Sequence, residues 1–174
     1  MSLIPEKVIN FRSYVGTASL LVSAATDVEL PKFESIAETI MGAGIAGEYQ
    51  SPTPGHLKAM SLKLKFRTAT PQVLQLAVGE TQLFDVRGAI QVQESASGAL
   101  VTQALRIECR GPLLSFSPGK VEPGKPMDAE AEQSIAFVRI SVDGAEVVMF
   151  DALNYIYKVG GVDRLAATRA AMGG

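Results

Sequence analysis

The chain has 174 residues, 47% of them apolar and 20% charged, so it is long enough to bury a core and its composition is globular rather than disordered. Its formal net charge of −2 argues against a general nucleic-acid binder, and no apolar run approaches the ~18 residues of a membrane-spanning helix. A single cysteine, Cys109, excludes an internal disulfide framework and a multi-cysteine metal site, and points to a reducing compartment.

The first residues, MSLIPEKVINFRS, lack the basic n-region, long apolar core and small-residue cleavage site of a signal peptide. The segment ELPKFESIAETIMGAGIAGEYQSPTP (29–54) reads either as a strand around Glu29–Ile40 or as a helix over Phe33–Met41. Gly42, Gly44 and Gly47 then remove regular structure, and Pro52 and Pro54 close the segment. Ile45 and Tyr49 in such an arm lack a local burial partner, so the arm is expected to project onto a neighbour. GAGIAG (42–47) lacks the Lys-Ser/Thr of a phosphate loop and no helix signal follows it, so no nucleotide cofactor is expected. His56, in the loop TPGHL, has no carboxylate or nucleophile beside it and reads as a surface residue.

Next comes a clean two-residue period. In Met60–Arg67, Met60, Leu62, Leu64 and Phe66 share one face, while Ser61, Lys63, Lys65 and Arg67 share the other. The basic stripe, with Lys58 nearby, reads as a solvated face that acids on a neighbouring strand or subunit can neutralise. TPQVLQLAVGE is a helix with Thr70 as N-cap, Pro71 at the first helical position and Gly79 as the stop. Val73, Leu76 and Ala77 form its packing face. Phe84–Gln93 alternates again, with Phe84, Val86, Ile90 and Val92 opposite Asp85, Arg87, Gln91 and Gln93. SASG (95–98) is a hairpin loop leading to Val101–Cys109, where Val101, Leu105, Ile107 and Cys109 face inward. Cys109 is therefore an inert core thiol.

The run Ser117–Asp128 holds three prolines and two glycines and reads as a long loop. Asp128, Glu130 and Glu132 mark a solvated strand entry rather than a metal site. Ile135–Val142 is a further strand, with Ala136, Val138, Ile140 and Val142 on one side, and Asp143-Gly144 turns it back through a hairpin. In NYIYKVGGVDRL (154–165), Ile156 and Val159 are expected to pack inward while Gly160 and Gly161 reverse the chain. Asp163 and Arg164 are expected to be held for pairing with backbone or with a neighbouring subunit. A last helix is expected over Val162–Met172. With no linker and no internal repeat, residues 1–174 are expected to form one domain with projecting segments near 42–54 and 117–128. The fold class is mainly β: an antiparallel barrel or sandwich with one packed helix and extended arms.

The stretch DGAEVVMFDALNYIYKVGGVDRL (143–165) resembles the C-terminal signature of the major tail tube proteins of contractile-tailed bacteriophages. The likeness is carried by Asp143-Gly144, Glu146, Asp151, Asn154, Ile156, Val159 and Gly161-Val162-Asp163-Arg164. ELPKF (29–33) and GAGIAG match further positions in the same order, and Gly160 stands where the family often has Asn.

The resemblance implies a structural, non-enzymatic subunit without cofactor or metal. Such subunits form six-membered rings that stack into a hollow tube, enclosed by a contractile sheath and carrying DNA through its lumen. Implied partners are further copies of the chain, the sheath protein, baseplate and terminator proteins, and the tape-measure protein; no membrane partner is implied. The implied location is the virion tail, built in the bacterial host cytoplasm, of a phage, prophage or tail-like particle. Gly42, Gly44, Ile45, Gly47, Tyr49, Asn154, Gly161, Asp163 and Arg164 are the candidate subunit-interface residues. Two other classes compete: a soluble β-barrel with an apolar ligand cavity, and a hydrolase built on His56.

Overall fold

A computed structural model describes residues 2–16, 20–22 and 25–173. The chain runs β1 (Leu3–Val15), β2 (Leu20–Val22), β3 (Ala25–Glu29), β4 (Ser35–Ile40), β5 (Tyr49–Leu57) and β6 (Ser61–Phe66). A helical turn α1 (Pro71–Leu74) continues as a 3₁₀ turn (Gln75–Val78) and leads into β7 (Gln82–Glu94) and β8 (Leu100–Gly111). Then follow β9 (Leu113–Ser117), β10 (Ala129–Ser134), β11 (Phe137–Val142), β12 (Ala145–Asp151), β13 (Ile156–Val159), β14 (Val162–Asp163) and α2 (Ala166–Ala171). All strand pairs are antiparallel. They make an eight-stranded sheet (β14-β13-β12-β11-β8-β7-β1-β2), a four-stranded sheet (β3-β6-β10-β9) and a separate β4–β5 hairpin.

The two larger sheets share one core, which makes the fold a sandwich with open edges. Leu62, Leu64 and Phe66 of β6 are fully buried and meet Phe84, Val86, Ile107, Cys109, Val138 and Phe150 of the large sheet. Beside them on β10, Ala129 and Ala131 lie directly opposite Phe66 and Leu64, so small residues make room for large ones. Gln133, buried in the same row, donates from Nε2 to the carbonyls of Gln82 and Gly111, each at 2.7 Å. Those two residues face each other at one end of the β7–β8 ladder, so Gln133 joins the sheets there. At Gly111 the sheets come so close that a Cβ would lie 1.9 Å from the Ser134 carbonyl oxygen.

The outer face of β6 is neutralised from both sides. Lys65 lies between Asp27 and Glu130, and Lys63 between Glu29 and Glu132, in the strand register. The expected solvated stripe is therefore a cross-strand charge lattice, with Lys65 and Asp27 in contact at 3.6 Å.

Thr70 does cap its helix, accepting from the Val73 amide at 3.4 Å, and Gly79 ends it at φ 78. The packing face differs from expectation: Val73 and Leu76 are buried but Ala77 is exposed. The turn tightens to a three-residue period after Leu74, which aligns positions 73 and 76 and swings 77 outward.

The helix alternative over Phe33–Met41 is overturned. Ser35–Ile40 is a strand, in which the β-branched Ile36, Thr39 and Ile40 favour extended backbone, and its register pairs Ile40 with Tyr49 and Ala37 with Pro52. Nor do the prolines end regular structure. Pro52 and Pro54 sit inside β5, which among the described residues has only β4 beside it and so leaves one side of its backbone without a ladder. Between β4 and β5 the irregular part of the arm is residues 41–48.

The long loop after Ser117 is tied at its neck by Lys120 N to Met127 O (2.8 Å) and Met127 N to Arg67 O (2.9 Å). Residues 121–126 at its tip are exposed.

Candidate assembly surfaces

The C-terminal segment is built as a chain of turns. Asp151, buried at the end of β12, accepts from the amides of Leu153 (3.1 Å) and Asn154 (3.0 Å) and from Asn154 Nδ2 (2.7 Å). Tyr155 takes φ 53, and β13 then returns along β12. Gly160 (φ 59) and Gly161 (φ 80) supply the two left-handed positions that a tight hairpin turn needs. The reversal is as expected, but the inward residue is not. Tyr157 packs on the core, edge-on to Phe150 at 5.8 Å between ring centroids, whereas Ile156 and Val159 remain half-buried. Positions 156 and 159 are three apart and point to opposite faces of a strand.

Asp163 finds its guanidinium six residues on. Its Oδ1 accepts from the Leu165 amide at 3.0 Å and its Oδ2 from Arg169 Nη2 at 2.9 Å. Arg169 Nη1 also donates to the Tyr155 carbonyl at 3.1 Å. The Leu165 amide, then Arg169, hold the Asp163 carboxyl below its ordinary value. Among the described residues Arg164 hydrogen-bonds only through its backbone, to Tyr157 O at 2.7 Å, and its side chain is exposed. The last helix begins at Ala166 rather than Val162, because Val162–Asp163 pairs with β13 as a strand.

The other candidate residues lie elsewhere. Gly42, Gly44, Ile45, Gly47 and Tyr49 sit at the exposed tip of the β4–β5 hairpin, while Asn154, Gly161, Asp163 and Arg164 belong to the C-terminal turns. The two regions meet at the hairpin's base. There Leu165 is buried against Gly55, and His56 Nε2 lies 3.2 Å from the Tyr155 hydroxyl. The shallow cavity beside them, about 200 Å³, is lined by Gly55, His56, Leu57, Phe150, Asp151, Ala152, Tyr155 and Leu165, with no serine, threonine or cysteine among them. Cys109 is buried on the core face as expected. Burial, helped by neighbouring Glu108, pushes its thiol up to about 12.

A cluster that the sequence alone did not assemble covers the outer face of the large sheet. Asp85 accepts from Arg87 Nη2 (2.6 Å) and Nε (2.9 Å), and from Arg106 Nε and Nη2 (3.0 Å each). Arg106 also reaches Glu108 at 2.9 Å, and Glu108 accepts from Arg139 Nε at 2.6 Å. Arg87 stacks on Tyr14, and Arg110 and Arg139 on Phe137, with cation-to-centroid distances of 4.5, 4.9 and 5.7 Å. Burial tends to raise the Asp85 carboxyl, but the Arg106 and Arg87 guanidiniums outweigh it and hold it low. The register makes this possible, bringing Asp85 opposite Glu108 and Arg87 opposite Arg106 and Arg12.

One strand edge stands open. β2 covers only Ser13–Val15 of β1, so among the described residues Leu3–Arg12 pairs with β7 on one side and with nothing on the other. Leu3, Ile4, Val8 and Ile9 on this stretch are exposed.

Comparison with known proteins decides what these surfaces belong to. The family described as "Phage tail tube protein FII" matches residues 5–173, nearly the whole chain. The chain belongs to the phage tail tube protein FII family. It is also 28% identical over 168 residues to the tail tube protein of Escherichia phage P2, a match covering 95% of this chain and 92% of that protein. A tail tube protein is a structural component of the virion tail, and it self-assembles into a tube. The family match takes in the hairpin, the charged sheet face, the open β1 edge and the C-terminal turns together. No described helix is long and apolar enough to cross a membrane.

Proposed function

We propose that this tail tube protein forms six-membered rings that stack into a hollow tube, with the genome passing through the lumen and a contractile sheath outside. The observation that carries the reading is the open edge of β1. Unpaired backbone donors and acceptors along Leu3–Arg12, flanked by exposed Ile4, Val8 and Ile9, form a template that another chain can complete. A monomeric protein blunts such an edge; a subunit uses it. Heterologous pairing of this kind closes into a ring when the rotation between copies allows it.

In this reading the whole chain acts as one unit. The hairpin tip, with Gly42, Gly44, Ile45, Gly47 and Tyr49, and the loop near 117–128 project towards neighbouring copies. Asn154, Gly161 and Arg164 present the C-terminal turns to an adjoining subunit, while Asp163 holds those turns together from within. The sheath, baseplate, terminator and tape-measure proteins are the further partners of the assembled tube. The protein does no chemistry; the surroundings of His56 and the inert Cys109 thiol support this.

Sedimentation velocity over a wide concentration range tests the proposal, comparing the native chain with Ile4→Lys/Ile9→Lys. Both side chains are exposed, so the variant should keep its fold while losing association. Rings and stacks from the native chain and monomers from the variant are expected. A native chain that stays monomeric throughout contradicts the reading.

A further inference from the structure

Three arginines lie side by side across adjacent strands of the large sheet: Arg12 on β1, Arg87 on β7 and Arg106 on β8. Like charges placed directly opposite each other destabilise a sheet. Asp85 and Glu108 offset Arg87, Arg106 and Arg139, but among the described residues Arg12 has no carboxylate partner. Beside Arg12 and Arg87 the surface dips into a shallow depression of about 340 Å³, lined also by Asn10, Phe11, Gly88 and Ala89. The register shift between Val8 and Asn10 lies at this place, and Ala89 shares the outer face with Arg87. The site thus offers a small apolar residue, Ala89, beside an uncompensated guanidinium.

The β4–β5 hairpin has the complementary character. From Ser35 to Leu57 it carries Glu38 and Glu48 but no lysine or arginine. Ile36, Ile40, Met41, Ile45 and Tyr49 on it are exposed. Several acidic residues elsewhere are already offset: Glu34 holds Lys32 and Lys58, Asp27 meets Lys65, and Glu122 meets Lys125. Glu38 and Glu48 form no ion pair among the described residues.

We propose that the acidic, apolar hairpin of one copy seats in the Arg12–Arg87 depression of another copy. The inference rests on the tube reading and adds the receptor surface to it. An apolar hairpin side chain fills the depression while a hairpin carboxylate relieves the arginine row. Neither half requires rearrangement of the Asp85 network, because Arg12 stands outside it.

Charge reversal tests the pairing, with assembly followed by sedimentation and negative-stain microscopy. Arg12→Glu and Glu38→Arg/Glu48→Arg should each raise the concentration needed for polymerisation by about tenfold or more, since like charges then face each other. Combining all three substitutions should restore assembly towards the native level. All three positions are exposed, and unchanged thermal melts of the subunits will show that folding is intact. Native assembly by either reversal variant overturns the proposal, as does a triple variant no better than its parents. Arg12→Glu that polymerises normally yet loses salt-dependent duplex DNA binding also overturns it, in favour of a nucleic-acid contact. Absence of polymer from the native chain would instead count against the tube reading itself.

Discussion

Leu165 occupies the space in which a side chain on Gly55 would stand. A Cβ at Gly55 would lie 2.1 Å from Leu165 Cδ2, and Gly55 itself has φ 71. The contact joins the C-terminal turns to the base of the projecting hairpin, and it explains why a leucine two residues beyond β14 is buried. Gly55→Ala should destabilise the subunit by about 2–3 kcal/mol, combining left-handed strain with overpacking. Leu165→Ala should cost about 2–4 kcal/mol as a cavity. The double variant should cost clearly less than the sum, because removing the leucine makes room for the new methyl group. Urea unfolding of the three variants measures this, and simple additivity would show that the two positions do not touch.

Asp163 is expected to act within the subunit and Arg164 between subunits. Asp163→Ala and Arg169→Ala remove the same contact, so each should lower the subunit's melting temperature, and the double variant should fall little further. Arg164→Ala should leave the melt unchanged and reduce only tube yield. An equal loss of melting temperature in Arg164→Ala would show that its exposed side chain has a structural role.

Stability should fall with acid in a way that Asp85 governs in part. Its folded-state carboxyl is held below the ordinary value, so the unfolded chain takes up the proton first as pH falls. The contribution is fully present above the ordinary carboxylate range and is lost below about pH 4. Asp85→Asn should lower stability at neutral pH by about 1–3 kcal/mol, a buried-pair cost discounted because Arg87 and Arg106 are half exposed. It should also flatten the acid limb of the stability curve. Some slope will remain, since hydrogen bonds from Lys32 and Lys58 hold Glu34 at about 2. Denaturant unfolding across the acid range is the measurement, and an unchanged limb in Asp85→Asn would refute the assignment.

Gln133→Leu removes the donor to two carbonyls where the sheets meet. A loss of about 3 kcal/mol is expected even though the replacement is apolar and of similar size. A neutral or stabilising effect in thermal unfolding would mean that the join contributes nothing.

Much of the fold was legible because the period of two is clean in β6 and recurs over most of β7 and β8, and because capping chemistry is local. Thr70, Pro71 and Gly79 mark their turn, and Asp143 (φ 49) with Gly144 (φ 81) makes the hairpin that this dipeptide favours. β1 was missed for a physical reason: register shifts after Pro5 and after Val8 break the alternation that would announce it. The hairpin was obscured by Pro52 and Pro54, which are tolerable only in a strand with a free side. The arginine network needed the register itself. Asp85 and Arg87 read correctly as residues of an outer face, but only strand pairing shows that they share one cluster with Arg106 and, through Glu108, with Arg139. Asp163 was singled out as a pairing residue, while its partner Arg169 becomes visible only once the chain has turned at Leu165.

The most direct test of the account is cryo-electron microscopy of polymer grown from the purified native chain. The expected image is a hollow tube with six subunits per ring, in which the Leu3–Arg12 edge of each subunit is covered by another copy. A tube with a different subunit number would correct the ring proposal alone. A solid filament, or a tube in which that edge stays exposed to solvent, would contradict the claim that the open β1 edge builds the assembly.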